Sequence, residues 1–351
     1  MTPRPRLLVR ADGSTAVGAG HVMRCLALAQ AWRERGGDLT FISYCESDAL
    51  AARLRGACDD LVRLPAPHPS DADRARLLEL GARHPAATVV LDGYGFDVSY
   101  HQPLRAAGHR LLILDDHAHQ PRYDADWILN QNTNATPALY DGRAPGATLL
   151  LGPSFALLRS EFVEHAEWTR PALSGARHVL VTLGGSDPDN VTLNVLRGVA
   201  AAVSPDAHVR VIAGHSNPHG ESLRAFAAAQ TFDCVILEGV DDMPAEMMAA
   251  DVAVSAAGTT TWELAFLQLP ALIVTTADNQ GTNAAVLEQR GVAQDLGRPD
   301  AHLTDRVARG LRELSADGPR LQAMATAGRA LVDSLGAQRV VATMTAGSRP
   351  P

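Results

Sequence analysis

His21 stands directly behind Gly18-Ala19-Gly20, between a strand-like run, RLLVRAD, and an amphipathic run, LALAQAWRERG. Closely spaced glycines let backbone N–H groups face a ligand, and a helix start adds partial positive charge. Such a loop suits an anion, and an imidazole adds little to that task. It is better suited to proton transfer, because its ordinary pKa of about 6.5 allows it to take a proton from water near neutral pH. The helix start favours the neutral ring, whereas a bound diphosphate would favour the charged one. A carboxylate such as Asp12 is a candidate to orient the ring. A plain turn with a helix-start histidine is the alternative.

Similar clusters recur along the chain. LGGSDPDN, residues 183 to 190, offers Gly184 and Gly185 for close backbone approach, and Ser186 and Asp187 as caps for the next helix. It reads as a diphosphate site or as an ordinary capped turn. More specific is SAAGTTTWELAFLQLPALIVTTADNQGTNAAVLEQRG, residues 255 to 291. Gly258, Thr259 and Thr260 begin a helix whose amides and hydroxyls suit phosphate oxygens. Glu263, one turn in, suits ribose hydroxyls, or is a solvated carboxylate favoured by the helix dipole. Asn279 and Gln280 open the next helix, bridging phosphate and sugar oxygens or simply capping it. In the first half, Asp92-Gly93-Tyr94-Gly95 and Asp115-Asp116-His117-Ala118-His119 follow apolar runs. A carboxylate beside His-x-His could suggest a metal, but no third ligand group follows at a recognisable spacing. Sugar recognition, or orientation of another catalytic group, is the expectation, with no metal and no cofactor.

Nearly all these clusters fall at the carboxyl ends of predicted strands. RLLVRAD, DLTFISYC, DLVRLP, TVVLDGYG and RLLILDD alternate with helical patterns, and WILNQN and ATLLLGP complete the first half. A second set, HVLVTLGG, AHVRVIAG, DCVILEGV, DVAVSAAG and ALIVTTA, repeats the alternation. Strands apolar on both faces and joined by helices predict parallel sheets. The fold class is therefore α/β: two Rossmann-like, doubly wound domains of GT-B type facing a central cleft, where the strand ends of such sheets bind ligands. The predicted division is 1–155 for a sugar-handling, catalytic domain, 156–177 for a connection, and 178–335 for a nucleotide-binding domain. Residues 336–351 are a helix packing back on the first domain and a frayed tail.

Composition narrows the function. The 351 residues are 46% hydrophobic and 20% charged, with a net charge of −8. This suits a folded two-domain protein and disfavours nucleic acid or an acidic membrane as partner. No apolar run is long enough to span a bilayer, and the N-terminus does not read as a signal peptide. Cys25, Cys45, Cys58 and Cys234 form no CxxC pair, so neither disulfide nor zinc is expected and the setting reads as cytoplasmic. All 31 basic side chains are arginine. That excludes a Walker-type lysine, a Schiff base and a lysine general base.

With these residues in view, the chain resembles the UDP-sugar hydrolases of pseudaminic acid biosynthesis and, more distantly, the peptidoglycan GlcNAc transferase. The resemblance runs through RADGSTAVGAGHVMRCLALA, LDGYG, ILDDHAH, DWILNQN, LLGPSFALLRSEF, VTLGGSDPDN and the AAGTTTWEL…LP…DNQ block, in that order. It implies hydrolysis of UDP-2,4-diacetamido-2,4,6-trideoxy-β-L-altrose to free sugar and UDP, by inverting attack of water without a metal. The GxGH histidine, here His21, is then the general base, with Gly18 and Gly20 making room for the anomeric centre. The nucleotide contacts map onto Gly184–Ser186, Gly258–Glu263 and Asn279-Gln280, with uracil near Gly239 to Met243. The family's Asp-x-Tyr element matches Asp92 and Tyr94. Members often carry histidine between them, where this chain has Gly93. The implied partner is a small-molecule UDP-sugar, with no nucleic acid and no stable membrane insertion. Oligomeric state leaves no mark in the sequence, and a monomer is compatible with it. A glycosyltransferase with the same donor, and a silent sugar-nucleotide-binding protein, are the rival readings.

Overall fold

A computed structural model describes residues 4–15, 17–214 and 217–346. The predicted frayed tail, residues 348–351, lies outside them. The chain divides into two compact units, Met1–Ser160 with Leu335–Pro351, and Glu161–Ser334.

In the first unit the order is β1 (Arg6–Ala11), α1 (Gly20–Glu34), β2 (Asp38–Ser43), α2 (Asp48–Ala57), β3 (Asp60–Arg63) and α3 (Asp71–Arg83). There follow β4 (Thr88–Asp92), α4 (Val98–Ala106), β5 (Arg110–Leu114), β6 (Trp127–Asn130) and β7 (Thr148–Leu151). All seven strands are parallel, in the order β3-β2-β1-β4-β5-β6-β7. Side chains alternate across such a sheet. Leu7, Val9 and Ala11 of β1 therefore join the core under α1, while Leu8 joins the opposite core under α3 and α4. Arg10 shares the face of Leu8 and is fully buried, which requires a carboxylate on that side. Short α5 (Ser160–Val163) then leads out of the unit.

The second unit continues with β8 (His178–Thr182), α6 (Val191–Ala202), β9 (His208–Ala213), α7 (Gly220–Ala228), β10 (Asp233–Glu238) and α8 (Met243–Ala249). Next come β11 (Val252–Ala256), α9 (Thr260–Phe266), β12 (Ala271–Val274), α10 (Gly281–Gln289), β13 (Ala293–Asp295), α11 (Leu303–Ser315) and α12 (Gly318–Leu331). Its six parallel strands run β10-β9-β8-β11-β12-β13. Within the stretch expected as the interdomain connection, Arg170 is anchored to this unit. The buried Arg170 guanidinium donates to the carbonyls of Met247, Ala250 and Leu267, with bonds of 2.5 to 3.2 Å. Helix α13 (Gly336–Ala346) belongs to the first unit, where Ala337, Val340, Val341 and Met344 enter the core beside α1.

Strand order reverses once in each sheet, between β1 and β4 and between β8 and β11. The chain leaves these neighbouring strand ends towards opposite faces, opening a crevice at the carboxyl edge where ligands of doubly wound sheets bind. Asp12 and Asp92 stand at the first reversal; Gly184 and Gly258 flank the second.

Candidate active site

The first-unit site is built on a buried charge network around His21. Gly18, at φ +73°, turns the chain into α1, and Ala19 supplies no side-chain cap. His21 thus emerges from the first helical turn, where the leading amides have no intrahelical acceptors. Its Nδ1 lies 2.7 Å from Asp92 Oδ1, at the end of β4. Arg24, one turn on, donates through Nε to Asp92 Oδ2 and through Nη2 to Oδ1, both at 2.7 Å. It also reaches Asp116 through Nη1 at 2.6 Å and Nη2 at 3.2 Å.

Burial disfavours the Asp92 charge, but Arg24 first and His21 second outweigh it and hold the carboxyl well below the usual range. Asp116 is likewise lowered, with Arg24 overcoming burial. Burial also opposes the Arg24 charge, yet Asp116 and Asp92 raise its pKa well above the ordinary value. An ionised Asp92 only accepts. The 2.7 Å contact therefore assigns the imidazole proton to Nδ1, since Arg24 Nη2 is farther away at 3.3 Å. Nε2 is left with its lone pair and has no protein hydrogen-bond partner among the described residues. This is an aspartate-oriented imidazole, suited to act as a general base. Tyr94 packs edge-on against His21, centroids 5.2 Å apart, and donates its hydroxyl to Asp116 at 2.8 Å. Burial and then Asp116 raise the phenol pKa, so Tyr94 stays a donor. Cys25 is buried and its thiol pKa is raised well above normal by burial and Asp92, which argues against a nucleophile.

Asp12 does not orient His21. It accepts from Arg10, from the Tyr44 amide at 2.8 Å, and from the amide and Nδ1 of His68 at 2.8 and 2.5 Å. Burial opposes its charge, but His68 and Arg10 hold it far below the carboxylate range. Arg10 also donates to Asp73 of α3 at 2.8 Å, supplying the carboxylate that its buried strand position demands. The orienting task falls to Asp92. Neither Arg24 nor His68 stood out as a site residue in the sequence, whereas Asp116 lay in the DDHAH cluster expected to recognise sugar or to orient another group. Arg24 carries one signal, since it follows His21 by three residues and so shares its helix face.

The DDHAH cluster forms a hydrogen-bond knot. Asp115 accepts from Ala118 N and Tyr140 Oη at 2.7 Å, and lies 2.9 Å from His119 Nδ1. His119 Nε2 stands 3.0 Å from the Tyr94 carbonyl. Burial alone would lower the His119 pKa, yet Asp115 raises it above the ordinary value. Ligand atoms of Asp115, His117 and His119 lie within 4.8 Å of one another. For His119 to ligate a metal, one ring nitrogen must give up its present partners.

In the second unit, the predicted nucleotide residues occupy loops on one carboxyl edge. Gly184, at φ +95°, turns out of β8. Of the two expected caps, Asp187 closes α6, accepting from the amides of Val191 and Thr192 at 2.8 Å each. Those two α6 donors are therefore occupied, leaving an anion the turn at Gly184, Gly185 and the buried Ser186. At the end of β11, Thr261 Oγ1 donates to the Gly258 carbonyl at 2.6 Å. The amides of Thr259 and Thr260 have no protein acceptor among the described residues. Gln280 Oε1 accepts from Thr276 N at 2.9 Å and Oγ1 at 3.2 Å. Its Nε2 lies 3.5 Å from where a Gly258 side chain would begin. Gln280 thus joins two of the predicted elements. Glu263 and Asn279 are half-buried in the same loop–helix pair. Gly239, at φ +65°, ends β10, and Met243 starts α8 behind the capping Asp242.

Residues 178–340 match the Glycosyltransferase family 28 C-terminal domain. The chain is 27% identical over 199 residues to the spore coat polysaccharide biosynthesis protein SpsG of Bacillus subtilis, a match that spans only 56% of either chain. It is 25% identical over 224 residues to the UDP-2,4-diacetamido-2,4,6-trideoxy-beta-L-altropyranose hydrolase of Campylobacter jejuni, covering 63% of this chain and 74% of that one. The crystal structure of Acinetobacter baumannii MurG aligns with a TM-score of 0.63 at 16% identity, over 98% of this chain and all of that one. Among the described residues no helix is long and apolar enough to cross a membrane. The chain thus folds as two α/β units of GT-B type, resembles the UDP-diacetamido-trideoxy-altropyranose hydrolase over part of its length, and carries a match to the family 28 glycosyltransferase C-terminal domain.

Proposed function

We propose that the protein hydrolyses a UDP-2,4-diacetamido-2,4,6-trideoxy sugar, the altrose isomer foremost, to free sugar and UDP in the route to pseudaminic acid. The carrying observation is the Asp92–His21 pair, whose Nε2 carries the free lone pair in a strand-end site. In this reading His21 Nε2 takes a proton from water as its oxygen attacks the anomeric carbon, and the C–O bond to UDP breaks with inversion. Asp92 holds the tautomer and stabilises the imidazolium that forms, and Arg24 holds Asp92. Tyr94, fixed by Asp116, borders the base and offers an edge to the sugar. The UDP leaving group needs charge stabilisation more than an acid. The amides of Thr259 and Thr260, the Gly184–Ser186 turn and the Gln280 amide are the donors proposed for it. Glu263 takes the ribose, Asn279 a sugar or phosphate oxygen, and the Gly239–Met243 turn the uracil. No lysine takes part.

The match to a glycosyltransferase domain favours a second reading, transfer of the sugar to an acceptor hydroxyl. UDP release measured with and without a panel of sugar acceptors separates the two. Hydrolysis gives UDP release at full rate in buffer alone. Release that depends on an added acceptor establishes the transferase instead.

A further inference from the structure

A second imidazole shares the first-unit strand ends. His68 arrives on the loop between β3 and α3 and is fixed from three sides. Its amide and Nδ1 both bond Asp12 Oδ2, and its ring stacks on Phe96 at 4.1 Å and 20°. Asp12 is ionised and only accepts, so Nδ1 carries a proton, and in the neutral ring Nε2 then carries the lone pair. That Nε2 has no protein partner among the described residues and is not sealed from solvent.

The glycines flanking Tyr94 exist for this ring. A Cβ on Gly93 would lie 2.4 Å from His68 Cε1 and Nε2. One on Gly95 would lie 2.9 Å from Pro69 Cδ and 3.0 Å from His68 Cδ2. Asp92-Gly93-Tyr94-Gly95 is therefore a two-sided turn: its glycines bed the His68-Pro69 loop, and Tyr94 packs against His21. Asp92 pairs in register with Ala11, the residue before Asp12. Two imidazoles thus stand against aspartates that end neighbouring strands at the strand-order reversal, neither Nε2 bonded to protein among the described residues.

We propose that His68 is a substrate-specificity residue whose Nε2 accepts a hydrogen bond from an N–H or O–H donor on the sugar, while His21 alone activates water. The proposal rests on the UDP-sugar reading. Its Nδ1–H, locked to Asp12, fixes the ring so that Nε2 presents an acceptor, and the Gly93 backbone lets it approach closely. A hydroxyl or acetamido N–H fits that acceptor; a diphosphate oxygen does not.

The test compares the full-length wild type with His68→Ala, His68→Gln and Gly93→Ala. UDP affinity is measured by calorimetry, and KM, kcat and pH profile with the UDP-diacetamido sugar. The expected result for His68→Ala and Gly93→Ala is a KM raised about tenfold, the loss of one hydrogen bond. In His68→Ala, UDP affinity, kcat and the pH profile stay at wild-type values, and His68→Gln, which retains an acceptor oxygen, recovers part of the KM. Gly93→Ala is read by KM and UDP affinity alone, because a side chain at φ +156° beside Asp92 also strains the turn behind His21. Gly93→Ala displaces the ring without removing it, so it reports even if His68→Ala misfolds. Wild-type KM in His68→Ala or in Gly93→Ala overturns the proposal, as does a kcat collapse or a shifted pH profile at unchanged KM. A wild type that binds no UDP overturns the parent reading and this one with it.

Discussion

Arg24 holds the first-unit site together, because one fully buried guanidinium serves two carboxylates that each position another group. Asp92→Asn removes the acceptor for His21 Nδ1–H and leaves Arg24 underpaired. Breaking such a buried pair costs about 3–5 kcal/mol, read as a lower urea midpoint. Under the proposed hydrolysis, misorienting His21 is expected to lower kcat by about 10²-fold or more. The network also fixes a pH dependence. Asp12, Asp92 and Asp116 titrate below an unfolded carboxylate value of about 3.9, so in that window the unfolded chain binds more protons. Their stabilisation is complete above that value and is lost as pH falls through the native values. His119 has the opposite sign: its contribution is complete below about pH 6.5 and fades as pH rises through its raised native value. Urea midpoints against pH are expected to show both slopes, with His119→Gln removing the upper one. The glycines before His21 single it out in the sequence as a candidate. Its pairing with Asp92, and that of Arg24 with Asp116, cannot be read there, because these residues lie 71 and 92 positions apart and meet only when the sheet forms.

At the scale of elements, buried apolar runs such as RLLVRA and TVVLD announce parallel strands, and most predicted strands are present. β13 escaped because three residues carry no periodicity and only its first, Ala293, is buried. The cap of α6 was legible as a choice between Ser186 and Asp187. A left-handed Asp187, φ +44°, turns both of its carboxylate oxygens onto the helix amides and decides it. Asp187→Ala is expected to destabilise by about 1 kcal/mol, measured by thermal or urea unfolding. Alternation within β1 also explains Arg10. It faces α3, and Asp73 meets it there, a pairing of strand and helix that no local pattern could announce.

For the whole molecule, two similar alternations of strand and helix were enough to infer two Rossmann-like units. What they did not give was the allegiance of the connecting segment, since the carbonyls that Arg170 binds come from two separate places in the chain, the ends of α8 and α9. The first unit is completed only when the chain returns as α13. Ending the protein at Ser334 removes the buried Val340, Val341 and Met344 from the core beside α1. At about 1.5–3 kcal/mol for each large side chain, that loss is comparable to the stability of an ordinary domain. The shortened protein is expected to lose the first unit's cooperative unfolding transition in calorimetry; retention of both transitions would show that α13 is dispensable. The central claim is that an aspartate-held His21 directs water at the anomeric carbon. Turnover of the UDP-sugar in ¹⁸O-water, read by mass spectrometry for wild type and His21→Ala, tests it most directly. The expected result is one ¹⁸O in the free sugar and none in UDP, with His21→Ala slower by about 10²–10⁴-fold. Label in UDP, or a His21→Ala enzyme that keeps the wild-type rate, would contradict it.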